Sequence, residues 1–401
     1  MKILHTADWH LGAKTDDLYR LKEQKAALEQ VIKIAKEKEV DMVLISGDIY
    51  DTLIPNSDAE NLFFDTITKL NDNGKRAVVA IAGNHDEPQR LSNSNVFTNK
   101  LGIYLLGEIN EGKNIFVSKN STNNIFATES GKGYVKFKLK NGENCVLAYL
   151  PHPSEFRTSA VSDDNSTFES YVKEWLNTGV KQFSEDTINI AMAHLIANGL
   201  NLTKDEFEIY TTLTNNYCFC DLDLLQGTGA HYTALGHVHR CLTVDRENHI
   251  YYSGSLINNH FESGDALTKV IYAEISNKGI ESLEKIPLIV NMLQSYTVTS
   301  MLQAEVICKE NPDKLLRITI DNADKISISE IKRIKSTYKN LVTLSLISKE
   351  AKEKQNNIAK QNLTTTEIFE RFVESKTGKL PDSDLKELFL ELMGEDVYET
   401  N

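Results

Sequence analysis

The stretch AIAGNHDEP, residues 80–88, joins an apolar run directly to three polar side chains. The run ends at Gly83, and Asn84, His85 and Asp86 follow without a gap. A turn is one interpretation, because Gly and Asn tolerate the backbone dihedrals that turns require. A metal site is the other, with Asn84 giving a carbonyl oxygen and His85 doing chemistry beside the metal. The tripeptide alone leaves both interpretations open, and the rest of the chain has to decide between them.

Four more apolar segments, residues 2–7, 41–46, 187–193 and 232–235, end in side chains that bind metals. The side chains that follow them are Asp8 and His10, Asp48 and Asp51, His194, and His237 and His239. Apolar residues at helical spacing separate the first segments, over Leu21–Lys38 and again over 62–70. This β-α-β-α-β alternation predicts parallel strands in a layered α/β domain. Further strands are predicted at 145–150, 249–253 and 269–275, with hairpins and loops over 110–144.

Because parallel strands end at one edge of a sheet, where ligand sites lie, we expect these side chains to converge. The oxygen and imidazole donors are Asp8, His10, Asp48, Asn84, His194, His237 and His239. One metal cannot use all of them, whereas two metals can if Asp48, on the central strand of the first run, bridges them. Imidazole and carboxylate donors without thiolate favour Mn, Fe or Zn over Ca or Mg. We expect two divalent ions to be bound, and we expect these ions to be Mn²⁺.

Two such metals would activate a hydroxide and hold the phosphoryl oxygens during an in-line displacement. We expect His85 to stabilise the charged transition state or to protonate the leaving oxygen. Asp51 would hold the His85 ring in the required tautomer. Each short motif is weak evidence alone, but the ordered set, each at the end of an apolar strand, favours a metal-dependent phosphoester hydrolase over coincidence.

Composition places the 401-residue chain among ordinary globular proteins, with 41% hydrophobic residues and a formal net charge of −13. The acidic balance argues against a free-standing nucleic-acid binder, although a partner subunit can supply the basic surface. No stretch approaches the roughly 18 apolar residues of a membrane helix, and the opening MKILHTADWH is unlike a signal peptide. Five irregularly spaced cysteines predict reduced thiols in a cytoplasmic protein. The chain has no GxxxxGK[ST] loop, so any ATP dependence must come from a partner.

The character of the chain changes after Pro287, and three domains are predicted: 1–287, 288–348 and 349–401. The middle one is a small α+β unit with a strand at 315–320, a helix at 329–338 and a strand at 341–347. A polar linker follows at 349–362, and Thr364-x-x-Glu367 offers a capping box. Two short amphipathic helices end the chain, and we expect them to fold back, pair with each other or dock on a partner.

The motifs DWH, GDIYD, GNHD and GHVH, with a single His between the last two, resemble the signature of the calcineurin-like metallophosphoesterases. The resemblance implies a four-layer α/β/β/α sandwich with a dinuclear metal centre. It implies that one metal is bound by Asp8, His10, Asp48 and His239, and the other by Asp48, Asn84, His194 and His237. It gives His85 the role of the catalytic histidine and Asp51 that of its partner.

A narrower resemblance is carried by MKILHTADWHLGA, SGDIYDTLIPN, AGNHDEPQRL, GHVHR and YYSGS, which look like the SbcD family of bacterial nuclease subunits. It implies a double-strand exonuclease and a hairpin or single-strand endonuclease in DNA repair, recombination and replication. It further implies a DNA-contacting capping domain, terminal helices that bind an SbcC-like ATPase, and a homodimer. Two positions depart from the family pattern: Cys241-Leu242 stands where Pro-Gln is usual, and Leu256 stands where Pro is usual.

Two other functions remain open on the sequence. A small-molecule phosphodiesterase or a phosphatase would use the same centre, but it would not need the hundred or so residues after Pro287. A metal-binding scaffold without catalysis would normally lack ligands, and here all are present. We expect His5 to be structural, and His152, His231, His249 and His260 to hold surface or supporting roles. Arg90 could meet a phosphate or form a salt bridge.

Overall fold

The structure, a computed structural model, describes residues 1–15, 18–109, 112, 115–152, 168–200, 219–258, 267–290, 293–321 and 326–347, with 369–370, 373, 379–381 and 385–386. The chain divides into two compact units, Met1–Ser295 with Pro312–Arg317, and Tyr296–Asn311 with Ile318–Asn401. Among the described helices, none is at once long enough and apolar enough to cross a membrane.

A six-stranded sheet in the first unit combines four early strands of the chain with two late ones. In spatial order its strands are β17 (Gly279–Pro287), β16 (Lys269–Ser276), β1 (Lys2–Thr6), β4 (Met42–Ser46), β5 (Ala77–Ile81) and β6 (Ile103–Leu106). Strands β1, β4, β5 and β6 are parallel, whereas β16 and β17 pair antiparallel. The predicted β-α-β-α-β run is therefore confirmed, and its strands are buried on both faces, as parallel strands require.

A seven-stranded sheet forms the second half of the same unit. Its strands, in spatial order, are β14 (Leu242–Asp245), β15 (Ile250–Tyr252), β13 (Tyr232–Gly236), β10 (Ile188–His194), β9 (Asn144–Leu150), β8 (Tyr134–Leu139) and β7 (Ile125–Gly131). The four central strands β9, β10, β13 and β15 are parallel. Two short ribbons accompany the sheets, β2 (Lys14–Thr15) with β3 (Leu18–Tyr19), and β11 (Ile196–Ala197) with β12 (Phe219–Cys220).

The two sheets pack face to face between two helical layers. On β4, Val43 and Ile45 face the helices α1 (Leu21–Glu37) and α2 (Ser57–Asn71), while Met42 and Leu44 face the second sheet. On the outer face of the second sheet lie α5 (Phe168–Thr178) and α6 (Leu222–Gln226), anchored by Trp175 and others. Alternate residues of one strand therefore serve two cores. The four-layer α/β/β/α sandwich expected from the sequence is confirmed.

Helix boundaries follow from local capping. Helix α2 starts at Ser57, ahead of the apolar stripe at 62–70, because the Asn56 side chain accepts the Ala59 N–H at 2.9 Å. It ends where Asp72 adopts a φ of 50°. The other described helices of this unit are α3 (Pro88–Asn93), α4 (Asn95–Thr98) and the 3-10 turns Asn99–Leu101 and Val180–Gln182.

The carboxyl-terminal α+β region alternates strands and helices: β18 (Leu293–Val298), α7 (Met301–Glu310), β19 (Leu315–Asp321), α8 (Ile328–Thr337) and β20 (Leu341–Ile347). The strands form a sheet in the order β18-β19-β20. The three elements expected from the sequence are confirmed, whereas β18 and α7 were not foreseen. The linker at 349–362, the capping box at 364–367 and most of the terminal helix pair lie outside the described residues, and the domain boundaries at 287 and 348 remain predictions.

Candidate metal centre

The loops after β1 and β4 are tied together by main-chain hydrogen bonds. The Asp8 N–H donates to the Gly47 carbonyl at 3.0 Å, and the His10 N–H donates to the Asp48 carbonyl at 3.0 Å. The register of β10 and β13 likewise pairs His194 with Gly236, the residue before His237. The fold therefore brings four of the predicted motifs to the carboxyl ends of neighbouring parallel strands.

Asp86 connects the loop that follows β5 to the loop that follows β4. Its carboxylate accepts N–H groups from Gly83 at 2.8 Å, Ile49 at 3.1 Å and Tyr50 at 2.9 Å. The His85 N–H in turn donates to Asp48 Oδ1 at 2.9 Å. The buried Asp86 is thus used for holding two loops together rather than for binding a metal, a role that the sequence analysis did not assign.

Close packing explains the glycines beside the site. A Cβ at Gly83 would lie 2.0 Å from Asp48 Oδ1, and one at Gly236 would lie 1.8 Å from the Ser46 carbonyl oxygen. Real Cβ atoms essentially never approach other atoms closer than 3.0 Å. These positions therefore exclude every side chain, and the chain backbone itself forms part of the wall of the site.

Backbone strain concentrates at the same place. Four of the predicted ligands have positive φ: Asp8 at 52°, His10 at 45°, Asp48 at 49° and His237 at 97°. For residues with a Cβ, the left-handed region is disfavoured, by roughly 1–2 kcal/mol per residue. Such strain persists only where the surroundings over-determine the conformation, and it is typical of functional sites.

Asp8, His10 and His239 form one cluster of possible ligand atoms. The Nε2 atoms of His10 and His239 face each other at 3.1 Å. Asp8 Oδ1 accepts the His237 N–H at 2.9 Å, whereas its Oδ2 is buried without a hydrogen-bond partner among the described residues. The Leu256 N–H donates to the Asp8 carbonyl oxygen at 3.3 Å, a contact that a proline at this position could not make.

Asn84, His194 and His237 form the second cluster. His194 Nδ1 donates to the Ser46 carbonyl at 2.7 Å, so its Nε2 is left to face the site. That Nε2 lies 3.1 Å from Asn84 Oδ1 and 3.2 Å from His237 Nδ1. Asp48 lies between the clusters, with Oδ2 3.6 Å from His10 Nε2 and 3.4 Å from His194 Nε2.

The donor set fits two divalent cations. Ring nitrogens that face each other repel unless a proton or a cation lies between them, and a buried carboxylate oxygen without a donor is costly. Cations between these atoms would relieve both problems at once. All seven residues predicted as ligands meet here, and the Asp48 carboxylate, which lies between the two clusters, would be within reach of an ion at either one. The roles themselves remain predictions that the arrangement supports.

Burial and mutual charge set the protonation of the groups. Burial raises the pKa of Asp8 to about 7, with the nearby Asp48 adding to the shift. Burial would raise the pKa of Asp48 too, but the charge of His194 holds it well below its usual range. Burial opposes a charge on His194, yet the Asp48 carboxylate raises the His194 pKa to about 9. A proton on His194 therefore occupies the role that a cation would take, and metal and proton compete.

His85 stands beside this centre, half-buried. Its Nδ1 donates to the main-chain carbonyl of Asp51 at 2.8 Å, because a carbonyl oxygen can only accept. The Asp51 carboxylate lies instead 3.6 Å from His10 Nδ1. Asp51 therefore fixes the His85 tautomer through its backbone, where a carboxylate contact was expected. The His85 and His10 rings meet edge to face, with centroids 4.8 Å apart.

His152 was not among the predicted site residues, although it is buried against them. Its ring stacks on His237 with centroids 5.7 Å apart, and it groups with His194 and His237 as a possible metal-binding set. The signal was present, because His152 follows strand β9 after a single proline. Of the other residues considered, His5 is buried within β1, Arg90 pairs with Glu60 at 2.7 Å, and His260 lies outside the described residues.

Comparisons with known proteins agree with this geometry. A family model described as calcineurin-like phosphoesterase matches residues 1–241. A protein of Bacillus subtilis (strain 168), named as the D subunit of the nuclease SbcCD, is 29% identical over 413 aligned residues, which cover 98% of this chain and 97% of the relative.

Two solved structures are also similar, each 12% identical and each covering 72% of this chain. TT1561 of Thermus thermophilus has a TM-score of 0.39, with 98% of that chain covered. GAP50, the anchor in the inner membrane complex of Plasmodium, has a TM-score of 0.37, with 89% of that chain covered. At TM-scores this low, neither structure bears on what this chain does.

Proposed function

Because the chain belongs to the calcineurin-like phosphoesterase family, whose model matches residues 1–241, we propose that it is a metal-dependent DNA nuclease. Membership makes the chain a phosphoester hydrolase. The observation that carries the finer proposal is the meeting of seven oxygen and imidazole donors beside His85 at one sheet edge. The relative named as a nuclease subunit, which aligns with nearly the whole chain, supports DNA as the substrate.

The proposed ligands of one metal are Asp8, His10, Asp48 and His239, and those of the other are Asp48, Asn84, His194 and His237. When bound, two divalent ions supply a strong nucleophile at neutral pH and neutralise charge on the phosphoryl oxygens. Imidazole, carboxylate and amide oxygen donors without thiolate suit Mn²⁺, Fe²⁺ and Zn²⁺, and Mn²⁺ is the ion that we propose. The buried, positive-φ backbone holds these donors in place before any ion arrives.

His85 is the proposed acid for the leaving sugar oxygen. Since its Nδ1 proton is held by the Asp51 carbonyl, Nε2 is the atom that would carry a transferable proton toward the substrate. Its main-chain N–H donates to Asp48, so the acid and the central carboxylate are placed by one short segment. Cleavage from duplex ends, and endonuclease action on hairpins and single strands, are the proposed modes.

The test is cleavage of an end-labelled linear duplex and of a hairpin-ended duplex by the purified chain, with Mn²⁺ and with chelator. We expect Mn²⁺-dependent cutting that His85→Ala lowers by about 10²- to 10⁴-fold. His231→Ala is the matched control, because His231 precedes β13 and so lies at the opposite edge from the site. Hydrolysis of a small chromogenic phosphodiester with DNA left intact, even when an ATPase subunit is added, would refute the nuclease and favour a small-molecule phosphodiesterase.

A partner with ATPase activity is the second part of the proposal. The relative's name places it as one subunit of a complex, and the terminal segment carries two amphipathic patterns. We propose that an SbcC-like ATPase binds there. Co-purification of the ATPase subunit should be lost on Leu385→Ser with Leu388→Ser, while the small phosphodiester is still hydrolysed. Retained co-purification would contradict this assignment.

A homodimer is proposed through the nuclease domain. Val96 and Phe97 on α4 are 71% and 78% exposed, and Leu101 in the following turn is also exposed. Apolar side chains exposed together suit an interface. Sedimentation should show a dimer that Phe97→Ser converts to monomer, whereas Leu302→Ser, an equally exposed leucine on α7, should not. A cytoplasmic location completes the proposal, since all four described cysteines are free thiols.

A further inference from the structure

Gln24 is a fully buried polar residue on α1 for which neither the predicted catalysis nor the family motifs have a use. Its side chain reaches from the outer helix to the loop that carries two proposed metal ligands. Nε2 donates to the His10 carbonyl at 2.6 Å and to the Trp9 carbonyl at 3.2 Å. Oε1 accepts the Gly12 N–H at 3.1 Å.

These bonds matter because the loop is strained. His10 has a φ of 45° and Asp8 a φ of 52°, and such left-handed conformations are uncommon for residues other than glycine. The orientation of the peptide after His10 fixes where its ring points. That peptide carbonyl accepts from Gln24 and also from the Ala13 N–H at 2.9 Å. Two donors from different directions leave it little freedom to turn.

The helix that carries Gln24 is itself anchored at this end. The buried Arg20 side chain pairs with Glu23, and its guanidinium also donates to the Asn258 carbonyl at 3.1 Å. The Arg20 N–H donates to the Ala13 carbonyl at 2.9 Å. Gln24 therefore acts from a fixed platform, and it bonds to both sides of His10 in sequence.

We propose that Gln24 is a positioning residue that presets the loop of Asp8 and His10 for a divalent cation, an inference that rests on the proposed function. The hydrogen bonds of its side chain to described residues all go to the backbone of this loop, so it acts on the ligands through the main chain. Residues that orient ligands in this way typically change metal affinity by about 10- to 100-fold when removed. The glutamine amide suits this contact from α1, because the contact requires two donors and one acceptor on one planar group.

The experiment measures Mn²⁺ binding to the full chain by titration calorimetry, without substrate. Gln24→Met keeps the length and loses the amide. The matched control is Asn71→Leu, because Asn71 is also a buried amide that donates to two carbonyls, of Arg76 and Leu101, and accepts one N–H, of Gly74. Asn71 lies before β5, at the sheet edge opposite the site.

We expect Gln24→Met to weaken Mn²⁺ binding by at least 10-fold at one of the sites, and Asn71→Leu to leave it within about twofold, although both lower the melting temperature. Equal affinity in wild type and Gln24→Met would overturn the proposal, as would an equal loss in Asn71→Leu. Should Gln24→Met fail to fold, Gln24→Asn, which keeps a buried amide but falls short of the loop, gives the same comparison. Wild-type protein that binds no Mn²⁺ would overturn the proposed function itself, and the inference with it.

Discussion

Replacing Gly83 by alanine tests whether the site depends on backbone contact at the Asp48 carboxylate. The added Cβ would lie 2.0 Å from Asp48 Oδ1 and 2.2 Å from the Asp48 nitrogen. Reaching the shortest distance that real Cβ atoms tolerate, 3.0 Å, requires 3.0 − 2.0 = 1.0 Å of movement at Oδ1. Because the second close atom is backbone, the loops after β4 and β5 must separate rather than one side chain rotate.

A displacement of about 1 Å in a positioned catalytic group costs on the order of 100-fold in rate. We therefore expect Gly83→Ala to lower Mn²⁺-dependent hydrolysis of a small chromogenic phosphodiester about 100-fold in kcat, with a smaller change in KM. The substitution should also weaken Mn²⁺ binding, since Asp48 is the proposed bridge. Calorimetry and steady-state kinetics on the same preparation measure the two effects.

The control for this experiment is Gly179→Ala, at the end of α5. There the added Cβ would lie 2.3 Å from the Gly133 carbonyl oxygen, a clash of similar severity in the outer layer of the second sheet. Loss of activity in Gly83→Ala but not in Gly179→Ala, at matched loss of melting temperature, would support the geometry. Full activity in a folded Gly83→Ala protein would refute the role given to Asp48.

Three further outcomes are expected. Acid should destabilise the protein partly through His5, because burial lowers the pKa of its side chain to about 3. Below pH 6.5 the unfolded chain binds a proton at His5 and the folded chain does not, so between pH 7 and 5 the wild type should lose about 2 kcal/mol more unfolding free energy than His5→Phe. Equal losses for the two proteins in urea titrations would contradict this. Asp86→Asn should lower the unfolding free energy by about 3 kcal/mol. Both carboxylate oxygens of Asp86 accept backbone N–H groups, and the substitution turns one of these oxygens into an NH₂ donor. A change under about 1 kcal/mol in denaturant melts would argue that Asp86 does not hold the two loops together. Mn²⁺ at about 100 times its Kd should raise the unfolding free energy by about 2.7 kcal/mol, and a melting temperature insensitive to both Mn²⁺ and chelator would count against the metal centre.

The meeting of the predicted ligands could be foreseen because it follows from one rule. Parallel strands bring their carboxyl ends to one edge, so Asp8, Asp48 and Asn84 had to be neighbours once β1, β4 and β5 were recognised. The same rule covers His194 and His237 on the second sheet. What the rule does not contain is how the two sheets face each other. That depends on which alternate residues of each strand enter the shared core, as Met42 and Ile190 do, and on side-chain volumes across the interface.

The residues that hold the ligands in place were not foreseen, for a physical reason. Asp86 looks like one more acidic residue after a motif, and Gln24 looks like one polar residue on an amphipathic helix. Both side chains form hydrogen bonds to main-chain groups. Because nearly every residue type has the same main-chain groups, the sequence does not show which of them is the partner. His152 differs, because it follows an apolar strand as the predicted ligands do. Polar side chains at strand ends are thus visible in a sequence, whereas partners of the main chain are not.

The positive φ values connect these two observations. A chain that only needed tight turns after its strands would place glycine at positions 8, 10, 48 and 237, since glycine adopts that conformation without strain. Aspartate and histidine occupy these positions instead, which indicates that the carboxylate and imidazole groups are needed there despite the backbone strain. The strain has to be balanced by contacts nearby, and the bonds from Gln24 and from the Leu256 N–H reach the two residues of the first strained loop. The proposed ligands and the residues that hold their backbone therefore act together, and a substitution in either group should change the affinity for a divalent cation.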